Sequence, residues 1–195
     1  MRINLNIAAA AALIAMPAAA SAQQIPAAVI ATVNVQRIYS DCTACKAAQT
    51  QLQSQATQIQ QLSEQLGAPL RTEADALQKA LAGKSPDAAD AATKARIQAF
   101  QTKEQQANQQ LQERQAAFQR NRAYVQQQIN QKLGPIVDSV MQARRANLVI
   151  DENSTLASAS TLDVTADVLA QLNQQLPSVS TTAPAQAQTP AAVQR

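Results

Sequence analysis

The chain of 195 residues has no histidine, no tryptophan, two phenylalanines, two tyrosines, three glycines and two cysteines. These shortages exclude several classes. Large side chains fill thick cores, and too few are present to build a large interior in a single copy. A structural zinc site takes about four Cys or His ligands, and the chain offers only two Cys and no His. Sparse aromatics, together with the export signal described next, argue against a nucleic-acid partner. No apolar run after the N-terminus is long enough to span a bilayer.

The N-terminus reads as a cleavable signal peptide, residues 1–22. Arg2 is a weakly positive start, Ile7 to Ala15 a short apolar run, Pro17 its breaker, and Ala20-Ser21-Ala22 the cleavage site. The run is too short for a membrane anchor. Cutting after Ala22 leaves 173 residues, expected outside the cytoplasm, in the periplasm.

What is abundant is glutamine, with 22 between Gln49 and Gln131. Such a chain is rich in helix formers and suits long thin helices with narrow apolar seams. From Leu52 the apolar positions Ile59, Leu62, Leu66, Leu70, Ala74, Leu77 and Leu81 make one stripe of coiled-coil type. Pro69, beside Gly67, should kink that helix. Ala82-Gly83-Lys84-Ser85-Pro86-Asp87 is a stop-and-start signal and places a hairpin tip at 82–87. A return helix from about Asp87 to Arg145 carries Ile97, Phe100, Ala107, Leu111, Phe118, Val125, Ile129, Leu133, Ile136 and Val140 on its stripe, with a bend expected at Gly134-Pro135 and Arg144 and Arg145 in its last turn. Residues 36–145 thus form a helical arm. The formal charge is +3, with ten basic and five acidic residues from Lys84 to Arg145. That mildly basic face is either a plain solvated surface or an attraction for acidic clients and, weakly, an anionic membrane surface.

Residues 23–35 read as a leader and a first buried strand, Ala28 to Val35. Asn147 to Asp151 is a second strand and Thr155 to Ala159 a third. Asp163 caps a last amphipathic helix with Val164, Val168, Leu169 and Leu172 on one face, stopped by Pro177. Residues 146–177 therefore complete a body, and the uncharged tail 178–195 reads as disordered. The fold class is α+β, mostly α: a long antiparallel hairpin projecting from a small β body. Three short strands and one short helix are marginal alone, and their open edges favour sharing the body in a homotrimer. Val29, Ile30, Val33, Val35, Leu148, Val149 and Ile150 are expected in the body core or trimer interface.

This order of elements resembles the Skp/OmpH family of periplasmic chaperones. The residues that carry the likeness are the signal peptide, Val33-Asn34-Val35-Gln36-Arg37-Ile38, Leu148-Val149-Ile150-Asp151 with Asn153, and Asp163-Val164-Thr165-Ala166-Asp167-Val168-Leu169. The resemblance implies a trimeric, three-armed clamp that holds unfolded outer-membrane β-barrel proteins without ATP, metal or other cofactor, and without enzymatic activity. Two departures stand out. Leu156 replaces an aromatic residue often found after the second strand. The basic cluster proposed in the family to bind lipopolysaccharide is not matched, since Lys79, Lys84, Lys94 and Arg96 are dispersed among Asp87 and Asp90.

A holdase works through many weak contacts, which mobile arms with apolar stripes and amide-rich faces supply. The stripes themselves fit the seam inside the hairpin; Tyr124, Val137 and Met141 are off-stripe positions open to a client. A coiled-coil spacer of the envelope is the rival reading. A further rival is a thiol-disulfide protein, because Cys42-Thr43-Ala44-Cys45 sits near a helix start. Against it stand the lack of a βαβ pattern and of flanking aromatic or proline residues. A local disulfide, a link between protomers and two free thiols all remain open for the pair.

Overall fold

A computed structural model describes residues 26–185. The signal-peptide reading and the last ten residues of the tail lie outside them. The element order is β1 (Ile30–Val33), α1 (Val35–Asp41), α2 (Thr43–Leu81), α3 (Ala91–Ala143), β2 (Leu148–Asp151) and α4 (Thr165–Gln175), with short 3-10 turns at Pro86–Ala88, Glu152–Ser154 and Ser160–Leu162.

The two long helices are antiparallel neighbours. Gln55 meets Asn121 and Glu73 meets Arg96, so advance along α2 is matched by retreat along α3. At about 1.5 Å per residue the 39 residues of α2 span about 58 Å and the 53 of α3 about 80 Å. Every stripe position except Ala74 is buried or half-buried. The stripes are thus the seam between the helices. Both helices run without interruption through their prolines, Pro69 in α2 and Pro135 in α3. Each proline removes one donor, and the long seam on either side holds the helix across the gap.

The connection between the helices differs from the expected start signal. Ala82 and Gly83 take positive φ, 46° and 80°, and end α2. Pro86 opens a single 3-10 turn rather than the return helix. Helix α3 begins only at Ala91, where the Asp90 carboxylate accepts the Thr93 N–H at 2.6 Å. At the far end α3 stops at Ala143. Arg144 is the cap residue and Arg145 has φ 55°, so neither lies in the last turn. The Arg144 guanidinium instead pairs with Asp167 of α4 at 2.5 Å.

The strands are shorter than the apolar run. Asn34 ends β1 by capping α1, its side chain accepting the Arg37 N–H at 2.8 Å. That capping bond moves Val35 into the first turn of a helix, where it packs half-buried against the core. β1 and β2 pair in parallel, Ile30 opposite Leu148 and Val33 opposite Asp151. Parallel neighbours need a long crossover, which the helical pair provides. No third strand forms at 155–159; one bridge, Thr32 to Asp163, flanks β1 on its other side. Among the described residues the sheet has two strands, and the outer edge of β2 pairs with nothing.

The core therefore lies mainly between helices. Ile38 of α1, Cys42, Ala44 and Ala48 at the start of α2, Ile136 and Val140 near the end of α3, and Val168 and Leu172 of α4 are almost fully buried. Among the described residues no helix is long and apolar enough to cross a membrane.

Candidate functional site

Three places carry chemistry beyond simple core packing: the motif residues around Asn34, the cysteine pair, and the grooves beside the helical seam.

The motif residues converge on one junction. The Asn34 N–H donates to Thr165 Oγ1 at 2.8 Å, and its side-chain amide donates to Glu152 at 2.8 Å. The Asp163 carboxylate accepts the Thr165 N–H at 2.8 Å and also the Thr165 hydroxyl. That hydroxyl, then the backbone N–H and the charge of Arg37, hold the Asp163 carboxyl below its ordinary pKa against some desolvation. Asp163 was expected as the helix cap. The formal cap position is Val164, and Asp163 satisfies the first-turn donor from one residue further out. Together these residues tie β1, α1, the turn after β2 and α4 into one body.

The expected body residues separate into two sets. Val33 is 5% exposed and Val149 packs against the core, with Ile150 half-buried. Val29, Ile30 and Leu148 are 48%, 39% and 43% exposed, and Leu156 in the loop after β2 is fully exposed. Ile30 and Leu148 are register partners, so an apolar patch lies uncovered at the sheet. The off-stripe positions fare differently: Tyr124, Val137 and Met141 are all half-buried, and Val137 packs against the core. They are not open surface. Tyr39, whose hydroxyl donates to Asn130, is likewise partly sheltered, and burial pushes its phenol up.

Cys42 and Cys45 are joined by a disulfide. Cys42 ends α1 and starts α2, and its sulfur accepts the Cys45 N–H at 3.1 Å. Thr43 N–H donates to Asn173 of α4 at 2.8 Å. The disulfide thus lies at a helix break, with Cys42 fully buried and Cys45 5% exposed. Exchange requires in-line attack by a thiolate, and this burial leaves little access. Among the described residues no three metal-binding side chains converge.

Two open grooves lie beside the seam. One, about 720 Å³, is lined by Leu52, Ala56, Phe118, Gln119, Arg122 and Gln126 among others, with the Arg122 guanidinium 5.9 Å from the centre of the Phe118 ring. The other, about 610 Å³, lies between Gln58, Ile59, Leu62 and Gln65 of α2 and Arg114 and Phe118 of α3. Its lining mixes amides, the two guanidiniums of Arg114 and Arg120, and apolar side chains.

The second groove is reached by a segment expected to be disordered. Residues 178–185 run along the helical pair. Gln128 donates to the Ser180 carbonyl at 2.9 Å and accepts the Ser180 N–H at 3.0 Å. Gln55 donates to the Thr181 carbonyl at 3.1 Å, and the Thr181 hydroxyl donates to Gln51 at 2.6 Å. Asn121 accepts the Ala183 N–H at 2.9 Å and donates to Gln55 at 2.9 Å. Thr181 is 9% exposed. Composition misread this segment because its partners are side chains over fifty residues away. The glutamine abundance was the available signal.

The sequence matches the family described as outer membrane protein (OmpH-like) over residues 29–172. No curated protein sequence matches the chain. A solved structure of an OmpH-like protein from Caulobacter crescentus, described as a candidate outer membrane chaperone, superposes with a TM-score of 0.65 at 18% identity, covering 80% of this chain and 90% of that one. That likeness is one of fold. The family match spans β1 through most of α4 and includes all three motif segments that meet at Asn34 and Asp163, so the chain belongs to the OmpH-like family.

Proposed function

We propose that the protein is an ATP-independent holdase chaperone of the periplasm, binding unfolded outer-membrane proteins and keeping them from aggregating. The observation that carries this reading is the helical pair: two long helices, buried beyond the body mainly along one seam and flanked by grooves lined with amides, guanidiniums and apolar side chains. Such surfaces offer many weak contacts, and weak contacts multiplied over several copies bind strongly without fixing a client's conformation.

The copies come from the body. Val29, Ile30 and Leu148 leave apolar area in water at a sheet whose β2 edge is unpaired among the described residues, and Leu156 is exposed in the loop after β2. A second and third copy of the chain would cover both, giving a trimer with three helical pairs as arms around a cavity. The exposed apolar residues and the open β2 edge are what support this arrangement.

Urea-denatured outer-membrane β-barrel protein, diluted into buffer without nucleotide, tests the function. Stoichiometric protein should keep turbidity near baseline. Unchanged turbidity at a severalfold excess would leave the envelope-spacer reading in place instead.

A further inference from the structure

The contacts made by residues 178–185 have an unusual character. Gln128 pairs with both backbone groups of Ser180, as a neighbouring strand would. Gln55 and Asn121 take the Thr181 carbonyl and the Ala183 N–H. An amide side chain carries the same donor and acceptor as a peptide unit. The groove therefore reads main chain, and only the Thr181 hydroxyl is held through its side chain. The pattern has the logic of strand addition, in which backbone bonds give affinity and leave sequence largely free.

The groove also extends beyond the segment it holds. Gln51, Gln58 and Gln65 recur every seven residues on α2, as do Gln128, Asn121 and Arg114 on α3. Seven residues return nearly to the same helix face. The cavity at the end of the segment lies between Gln58, Gln65 and Arg114, over Ile59, Leu62 and Phe118. Beyond the segment the lining combines the amides of Gln58 and Gln65 with the Arg114 and Arg120 guanidiniums and the half-buried Ile59, Leu62 and Phe118.

We infer that this groove is a binding site for extended, uncharged peptide segments of an unfolded polypeptide, and that residues 178–185 occupy it as a built-in ligand that such a segment displaces. The inference rests on the holdase reading for the origin of the peptide. The resident segment, Ser-Val-Ser-Thr-Thr-Ala-Pro-Ala, shows the chemistry accepted: small or β-branched, without charge. The segment leaves α4 only at Leu176. Short tethers give effective concentrations of about a millimolar. A free peptide with a dissociation constant of about 100 µM would then be held off roughly tenfold by the resident copy.

The test uses the full chain and that octapeptide carrying a fluorophore, read by anisotropy. Ser180→Pro with Ala183→Pro removes both N–H groups that the helices accept and touches neither helix. Circular dichroism should show unchanged helicity, and a protease should now cut the released segment. The peptide should bind the released chain about tenfold more tightly than the wild type. Adding Asn121→Ala and Gln128→Ala should abolish that binding. Equal binding by wild-type and released chains overturns the inference, as does binding that survives loss of Asn121 and Gln128. A segment that stays protease-resistant overturns it too, because the backbone pairs would then not be what holds it. Turbidity is read separately on the same proteins. Suppression of aggregation with no gain in peptide binding sinks the groove and leaves the holdase reading. Peptide binding as expected without suppression sinks the holdase reading and leaves the groove.

Discussion

Thr32 lies in the middle of β1, 2% exposed, and its hydroxyl has no hydrogen-bond partner among the described residues. A buried unpaired hydroxyl costs about 1–3 kcal/mol. Thr32→Val keeps the shape and removes the hydroxyl, so stability should rise by about 1 kcal/mol, seen as a higher denaturant midpoint; a lower midpoint would show that the hydroxyl has a partner in solution. Asp163 gives a pH signature. Its folded-state pKa lies below the unfolded value of about 3.9, so the unfolded chain takes up the proton first as pH falls. Its contribution is complete above the unfolded pKa and is lost as pH drops through the folded one. The carboxylate is only partly sheltered, so screening holds the effect below about 1 kcal/mol. Melting temperature followed from neutral pH into the acid range should decline less steeply for Asp163→Asn than for wild type; parallel curves would refute the role.

At the scale of elements, the break between α1 and α2 matters more than the prolines. Pro69 and Pro135 were conspicuous in the sequence, yet both helices pass through them. The break falls at Cys42, whose extended ψ of 131° redirects the chain. The disulfide to Cys45 closes a very short loop, and closure of that size stabilises by about 2 kcal/mol. Cys42→Ser with Cys45→Ser should lower the unfolding midpoint accordingly. It should leave turbidity suppression nearly intact: Cys42 is fully buried, and Cys45, though it lines the larger groove, is only 5% exposed and offers a client little surface. Loss of suppression in a folded double variant would mean that the cysteines act in client handling.

For the whole molecule, the decisive surface is the apolar sheet patch. Exposed apolar area gathered beside an unpaired strand edge marks an association surface. Leu148→Arg places a charge where copies are proposed to meet. Light scattering should give a trimer for the wild type at micromolar concentration and a monomer for the variant. A wild-type monomer would remove the shared body, and with it the avidity of three arms.

Local chemistry was legible along the chain. Seven-residue apolar stripes specified two antiparallel helices and their seam. Ala82-Gly83 specified where the first one ends, and the Asp163 segment specified a short amphipathic helix whose buried face is the one expected. The sequence also marked Val33 and Val149 as packed. What it could not decide rests on partners distant in the chain. Asn34 starts a helix through its own local cap, but its place in the body is fixed by Thr165 and Glu152, which accept its N–H and side-chain amide. Thr155 to Ala159 found no strand to pair with. Residues 178–185 looked disordered because their order comes from Gln55, Asn121 and Gln128, whose amides meet their backbone, and from Gln51, which accepts the Thr181 hydroxyl, only once the helices are packed. Periodicity records which face of an element is buried. Which polar groups are left over on that element, and what they hold, is settled when the elements pack together.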